Sequence, residues 1–151
     1  MVLVGNEPLV EATVESTGRK LTLYGKPGAS YEIQSSSNMA GNGNWQLLSR
    51  VPMTNLVFSL SNLNSNERTH FFRALEFIAD PPLLELAASG PGASNLRFFG
   101  RAGNTYTIQY TTNLSGVVQW NPLLSYTLTN SFGDVSGLQT TNKNRFYQIA
   151  R

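Results

Sequence analysis

With 151 residues, a net charge of +2 and no cysteine, the chain can form one domain or two small lobes, without disulfide staples in either case. Its Lys and Arg are scattered with no basic run, which excludes the charged stripe that nucleic-acid binding requires, and no apolar stretch approaches the roughly 18–20 residues that span a membrane. Charged residues are only 13% of the chain, so solubility falls to the Asn, Ser, Thr and Gly that fill every gap between apolar runs.

In chain order, the first predicted element is the β-branched alternating run Leu9 to Glu15, broken by Ser16-Thr17-Gly18. Lys20 to Tyr24 alternates next, with Leu21 and Leu23 inward, and Gly25-Lys26-Pro27-Gly28 supplies a tight turn. Ser30 to Ser36 puts Tyr31 and Ile33 on one face and Glu32 and Gln34 on the other. After the Gly- and Asn-rich loop 38–44 come strands from Trp45 to Val51, from Leu56 to Leu60 and from His70 to Phe77. Asp80-Pro81-Pro82 marks a boundary, since two prolines do not fit a central strand. The scheme then repeats: Leu83 to Ala87, Asn95 to Phe99, Thr105 to Thr111, Trp120 to Tyr126, Thr127 to Phe132 and Asn144 to Ala150. No segment holds a 3.6 period with caps, so no helix is expected.

The second half copies the first, 75 positions on and without a gap. Leu21, Gly25, Gly28, Tyr31, Ile33, Gln34, Asn38, Trp45 and Phe71 recur as Leu96, Gly100, Gly103, Tyr106, Ile108, Gln109, Asn113, Trp120 and Phe146. A fixed period of this length means one structural unit used twice. About six short strands per unit, with turn signals at regular spacing, predict an all-β chain. Two small antiparallel β-sandwich lobes, 1–79 and 80–151, are expected to pack together, because each alone is near the size at which a core becomes marginal.

Leu21-x-Leu23, Tyr31-x-Ile33, Trp45-x-x-Leu48 and Leu63 followed by Phe71-Phe72-Arg73-Ala74 resemble a shortened fibronectin type III repeat. The chain is also similar to the Gly-x-x-Gly-x-x-Tyr-x-Ile-Gln…Asn-Leu…Trp…Phe-Tyr-Arg repeats of large secreted bacterial proteins, often beside polysaccharide-degrading or adhesive domains, although the second unit has Gln148-Ile149 where the first has Arg73-Ala74. The resemblance spans both units. It implies an immunoglobulin-like sandwich, an extracellular or cell-surface location, and a parent chain carrying attached catalytic or adhesive domains. Its motifs are core and turn residues, so they speak to fold far more than to activity.

Chemistry-bearing residues are few. His70 is the sole histidine and aligns with Arg145, and no nucleophile–base–orienter set can be assembled around it. The nine acids offer no evident pair for glycosidic hydrolysis, and Glu32 is replaced by Thr107 in the second unit. No Asp-x-Asp-x-Asp loop or His/Cys cluster points to a cofactor, although loop carbonyls leave room for one isolated structural calcium. The expectation is a protein that is not an enzyme.

Aromatic side chains are the remaining candidates, because the C–H faces of sugar rings stack on them. Trp45 and Trp120 form the obvious pair, with core-edge packing as the competing explanation. Tyr110 and Tyr126 replace Ser35 and Val51 and give the second unit two extra tyrosines on adjacent strands. Tyr24 and Phe99 are out of phase with their inward neighbours and are expected to face outward or to cap the strand end, with Arg97 and Arg101 flanking the latter. Two functions follow: a non-catalytic module that binds polysaccharide, or a spacer or cell-surface attachment module with no soluble ligand.

Overall fold

The chain is all-β. The computed structural model describes every residue except 1–6, 17, 39–43, 64–70, 89–92 and 140–143, and His70 lies outside the described residues. The first unit contains β1 (Leu9–Glu15), β2 (Gly18–Tyr24), β3 (Ser30–Ser36), β4 (Gln46–Pro52), β5 (Val57–Leu63) and β6 (Phe71–Glu76). The second contains β7 (Leu83–Ala88), β8 (Ala93–Phe99), β9 (Thr105–Thr111), β10 (Asn121–Thr127), β11 (Phe132–Gln139) and β12 (Phe146–Ala150). In each unit the strands form two three-stranded antiparallel sheets, β1-β2-β5 with β4-β3-β6, and β11-β8-β7 with β10-β9-β12.

Period-2 alternation explains why the two sheets of a unit face each other. Leu21 and Leu23 on β2 meet Tyr31 and Ile33 on β3 and Val51 on β4 in one apolar cluster, completed by the buried Met53. The second unit closes its own cluster around Leu96 and Phe98 on β8, Tyr106 and Ile108 on β9, and Leu128 and Leu138. Intervening residues such as Glu32, Gln34, Thr107 and Gln109 are left on the outer faces.

The repeated Gly-x-x-Gly has two separate causes. A Cβ at Gly25 would come within 2.6 Å of the Tyr31 ring, and one at Gly100 within 2.7 Å of Tyr106, so the first glycine makes room for the tyrosine. The hydroxyls of those tyrosines in turn accept the backbone N–H of Lys26 and of Arg101, at 3.0 and 2.9 Å. The second glycine takes a left-handed backbone, with φ of 86° at Gly28 and 85° at Gly103. Its N–H donates to the carbonyl of Met53 or Leu128, at 2.7 Å in both units.

One cross-strand pair is inverted between the units. Leu23 pairs with Phe58 in the first unit, whereas Phe98 pairs with Gly133 in the second, so the phenylalanine moves from the edge strand to the central one. A Cβ at Gly133 would lie 2.7 Å from the Phe98 ring, which therefore occupies the space that a side chain on β11 would fill. Tyr126, where the first unit has the smaller Val51, meets Phe98 edge-on with centroids 5.4 Å apart.

Two boundaries differ from the sequence expectation. Phe77 closes the first unit, its N–H donating to the Ser30 carbonyl at 2.7 Å, and the second unit begins at Ile78, two residues earlier than expected. Thr127 to Phe132 is not a strand: β10 runs through Thr127, and β11 starts only at Phe132. Between them Leu128 turns inward, its N–H bonded to the Asn104 carbonyl and its own carbonyl to Gly103, which holds the backbone as a turn.

Candidate functional site

The outer face of β10-β9-β12 is built from neutral side chains in cross-strand rows. Thr105 shares a hydrogen bond with Thr127 at 2.7 Å, and Thr107 with Ser125 at 3.2 Å. Gln148 donates through Nε2 to Gln109 Oε1 at 2.6 Å. One row further on, Thr111 pairs with the exposed Phe146, and Trp120 is the residue just before β10, whose pairing with β9 begins at Asn121–Tyr110. Thr111 itself is buried, its Oγ1 donating to the Asn113 carbonyl and accepting the Asn113 N–H, which ties down the start of the loop leading to Trp120.

The matching face of the first unit carries the same frame with different chemistry. Ser36 makes the same turn with Asn38, and Trp45 is again half-buried at the start of its strand. Here Arg73 stands where Gln148 does. Its guanidinium lies 4.2 Å from the centre of the Trp45 ring and donates through Nε and Nη2 to Gln34 Oε1, at 2.9 and 2.8 Å. Gln34 Nε2 donates to Glu32, which also pairs with Arg50 at 3.0 Å, and Arg50 lies over Phe77. The result is a continuous ladder of self-satisfied groups covering the face. In the second unit Thr107 and Ser125 stand where Glu32 and Arg50 do, and among the described residues no guanidinium covers Trp120.

The six aromatics singled out in the sequence do not form one site. Trp120 is half-buried just before β10, at the position equivalent to Trp45, and Trp45 is the ring under Arg73. Tyr126 does not reach the surface platform expected of it: it pairs with Tyr106 on the inward face and packs on the core. Tyr110 shares that inward phase at the strand end, pointing away from the Trp120 side, and Arg145 lies 5.0 Å over its ring. Tyr24 is 38% exposed on the outer face of β1-β2-β5, and its hydroxyl donates to Glu11 at 2.9 Å, a bond that raises its pKa above the ordinary tyrosine value. Phe99 keeps the phase expected of it, opposite to the inward Leu96 and Phe98, and ends β8, but it offers no open ring: it is 0% exposed, with Leu83 and Phe132 as its partners on the two flanking strands.

Arg97 and Arg101 are likewise committed elsewhere. Arg97 makes a two-point pair with Asp134 at 2.7 and 2.9 Å, and Arg101 Nε donates to Asp80 at 2.9 Å. The residue that sequence reasoning missed is Phe146. It stands out in the sequence only as the repeat of Phe71. The signal was its phase, since Tyr147 and Ile149 pack inward and leave Phe146 and Gln148 outside. No protein-family model and no curated protein sequence matches the chain.

Proposed function

We propose that the chain is a non-catalytic polysaccharide-binding module, with the outer face of β10-β9-β12 as its binding surface. The observation that carries this reading is the contrast between two copies of one frame. The first copy is closed by its own arginine and an ion pair, while the second offers Trp120 and Phe146 beside hydroxyl and amide rows. An indole and a phenyl ring stack on the apolar faces of sugar rings, and Thr, Ser and Gln side chains both donate to and accept from sugar hydroxyls. The fibronectin type III-like resemblance, the secreted bacterial setting and an attached catalytic or adhesive domain belong to the same proposal.

Pull-down and affinity electrophoresis of the folded chain against plant, fungal and algal polysaccharides test it. Retention on at least one of them is expected. Trp120→Ala should weaken it roughly tenfold or more, as loss of a central aromatic anchor does, with the melting temperature unchanged. Uniform absence of binding would leave the spacer or attachment reading, which needs only the repeat.

A further inference from the structure

We infer that the binding face is confined to the second unit and selects uncharged glycans, and that Arg73 is the residue that closes the first unit's copy. This inference rests on the polysaccharide-binding reading and names its ligand class and its gate. Closure of the first unit follows from the guanidinium over Trp45: it is held by two hydrogen bonds to Gln34 Oε1, so a sugar ring can reach that face of the indole only by displacing it.

Selection for neutral ligands follows from what replaces the ladder. Glu32, Arg50 and Arg73 are all exchanged for uncharged residues, Thr107, Ser125 and Gln148, while Trp120 and Gln109 keep the stacking surface and its neighbouring amide. A uronate or sulfate would be desolvated against this face with no cation among its described outer side chains to meet it. An arginine from a protein partner is the competing occupant, since that is what covers Trp45. In the second unit Gln109 Oε1 already accepts Gln148 Nε2 at 2.6 Å, which leaves it one acceptor position where Gln34 Oε1 gives Arg73 two, and Thr107 stands in place of the neighbouring Glu32 carboxylate. A sugar hydroxyl, which can donate or accept, fits such a row better than a cation that can only donate.

Isothermal titration of the full chain tests this, using neutral gluco-, xylo- and manno-hexaoses against hexagalacturonate, with N-acetylarginine methylamide as the cationic probe. The expected result is one site per chain for a neutral hexaose, at least tenfold weaker binding of the acidic one, and no competition from the arginine probe. Trp45→Ala should leave binding unchanged, and Trp120→Ala should weaken it roughly tenfold or more. Gln148→Arg, which copies the first unit's closure without removing a large side chain, should abolish binding. Arg73→Gln should raise the stoichiometry from one site to two. Equal affinity for the acidic hexaose, displacement by the arginine probe, loss of binding in Trp45→Ala, or survival of binding in Gln148→Arg would overturn the inference while leaving the polysaccharide reading in place. A stoichiometry still at one in Arg73→Gln would overturn Arg73 as the gate. No binding of any neutral glycan by the folded chain would overturn the inference and the reading beneath it together.

Discussion

Gly25 and Gly133 are both defined by an aromatic ring pressed against the backbone, and each gives a substitution with a clear sign. Gly25→Ala forces a methyl into the Tyr31 ring and should cost about 1–3 kcal/mol in urea unfolding, a typical overpacking penalty. Gly133→Phe and Phe98→Leu should each destabilise, the first by collision and the second by a cavity. Combined, they reproduce the Leu23–Phe58 arrangement of the first unit, so the double variant should lose less than the sum of the single losses. Strict additivity in thermal melts would mean that the two positions do not share one volume. Tyr24 supplies a pH prediction. Its hydrogen bond to Glu11 raises its folded pKa above the ordinary tyrosine value of about 10, so its contribution is present below that pH and is lost as pH rises through the raised value. Glu11→Gln should therefore shift one tyrosine to lower pH in an alkaline absorbance titration, and an unmoved curve would contradict the bond. The misread aromatics share a cause at this scale. Alternation tells which face of a strand a residue occupies, as it did for Phe99, but not which side chains on neighbouring strands cover that face.

At the scale of elements, the ends of strands carry the structure that sequence patterning least reveals. Most strands fall within one to three residues of their expected positions because alternation, β-branching and turn glycines agree along them. Thr127 to Phe132 fails because Leu128 belongs to a turn fixed by bonds to residues 103 and 104, a non-local tie that no window of sequence contains. The repeat held the answer, since β5 at Val57–Leu63 has its counterpart at Phe132–Leu138 within β11. The same ties make a prediction. Met53 and Leu128 lie outside any strand, yet their N–H groups donate to the carbonyls of Ala29 and Asn104 at 2.9 and 3.0 Å and their side chains are buried. Their amides should exchange with solvent as slowly as those inside β3 and β9. Exchange at the rate of an exposed turn would contradict the tie.

For the whole molecule, the period of the sequence gives two units, and each carries an apolar cluster that shares no residue with the other. Segments 1–77 and 78–151 expressed separately should both unfold cooperatively, and a half without a folded baseline would mean that its core is incomplete alone. The chemical difference between the two outer faces was only partly legible. The loss of Glu32, Arg50 and Arg73 from the second copy can be read by aligning the halves, but that Arg73 lies over Trp45 required the fold to set β4 and β6 on either side of β3. The most direct measurement is an NMR titration of the intact chain with a neutral oligosaccharide, following its two tryptophan indole N–H signals. The Trp120 signal is expected to move and saturate while the Trp45 signal, under its guanidinium, stays in place. Movement of Trp45 instead, or of both signals equally, would contradict the proposed binding face.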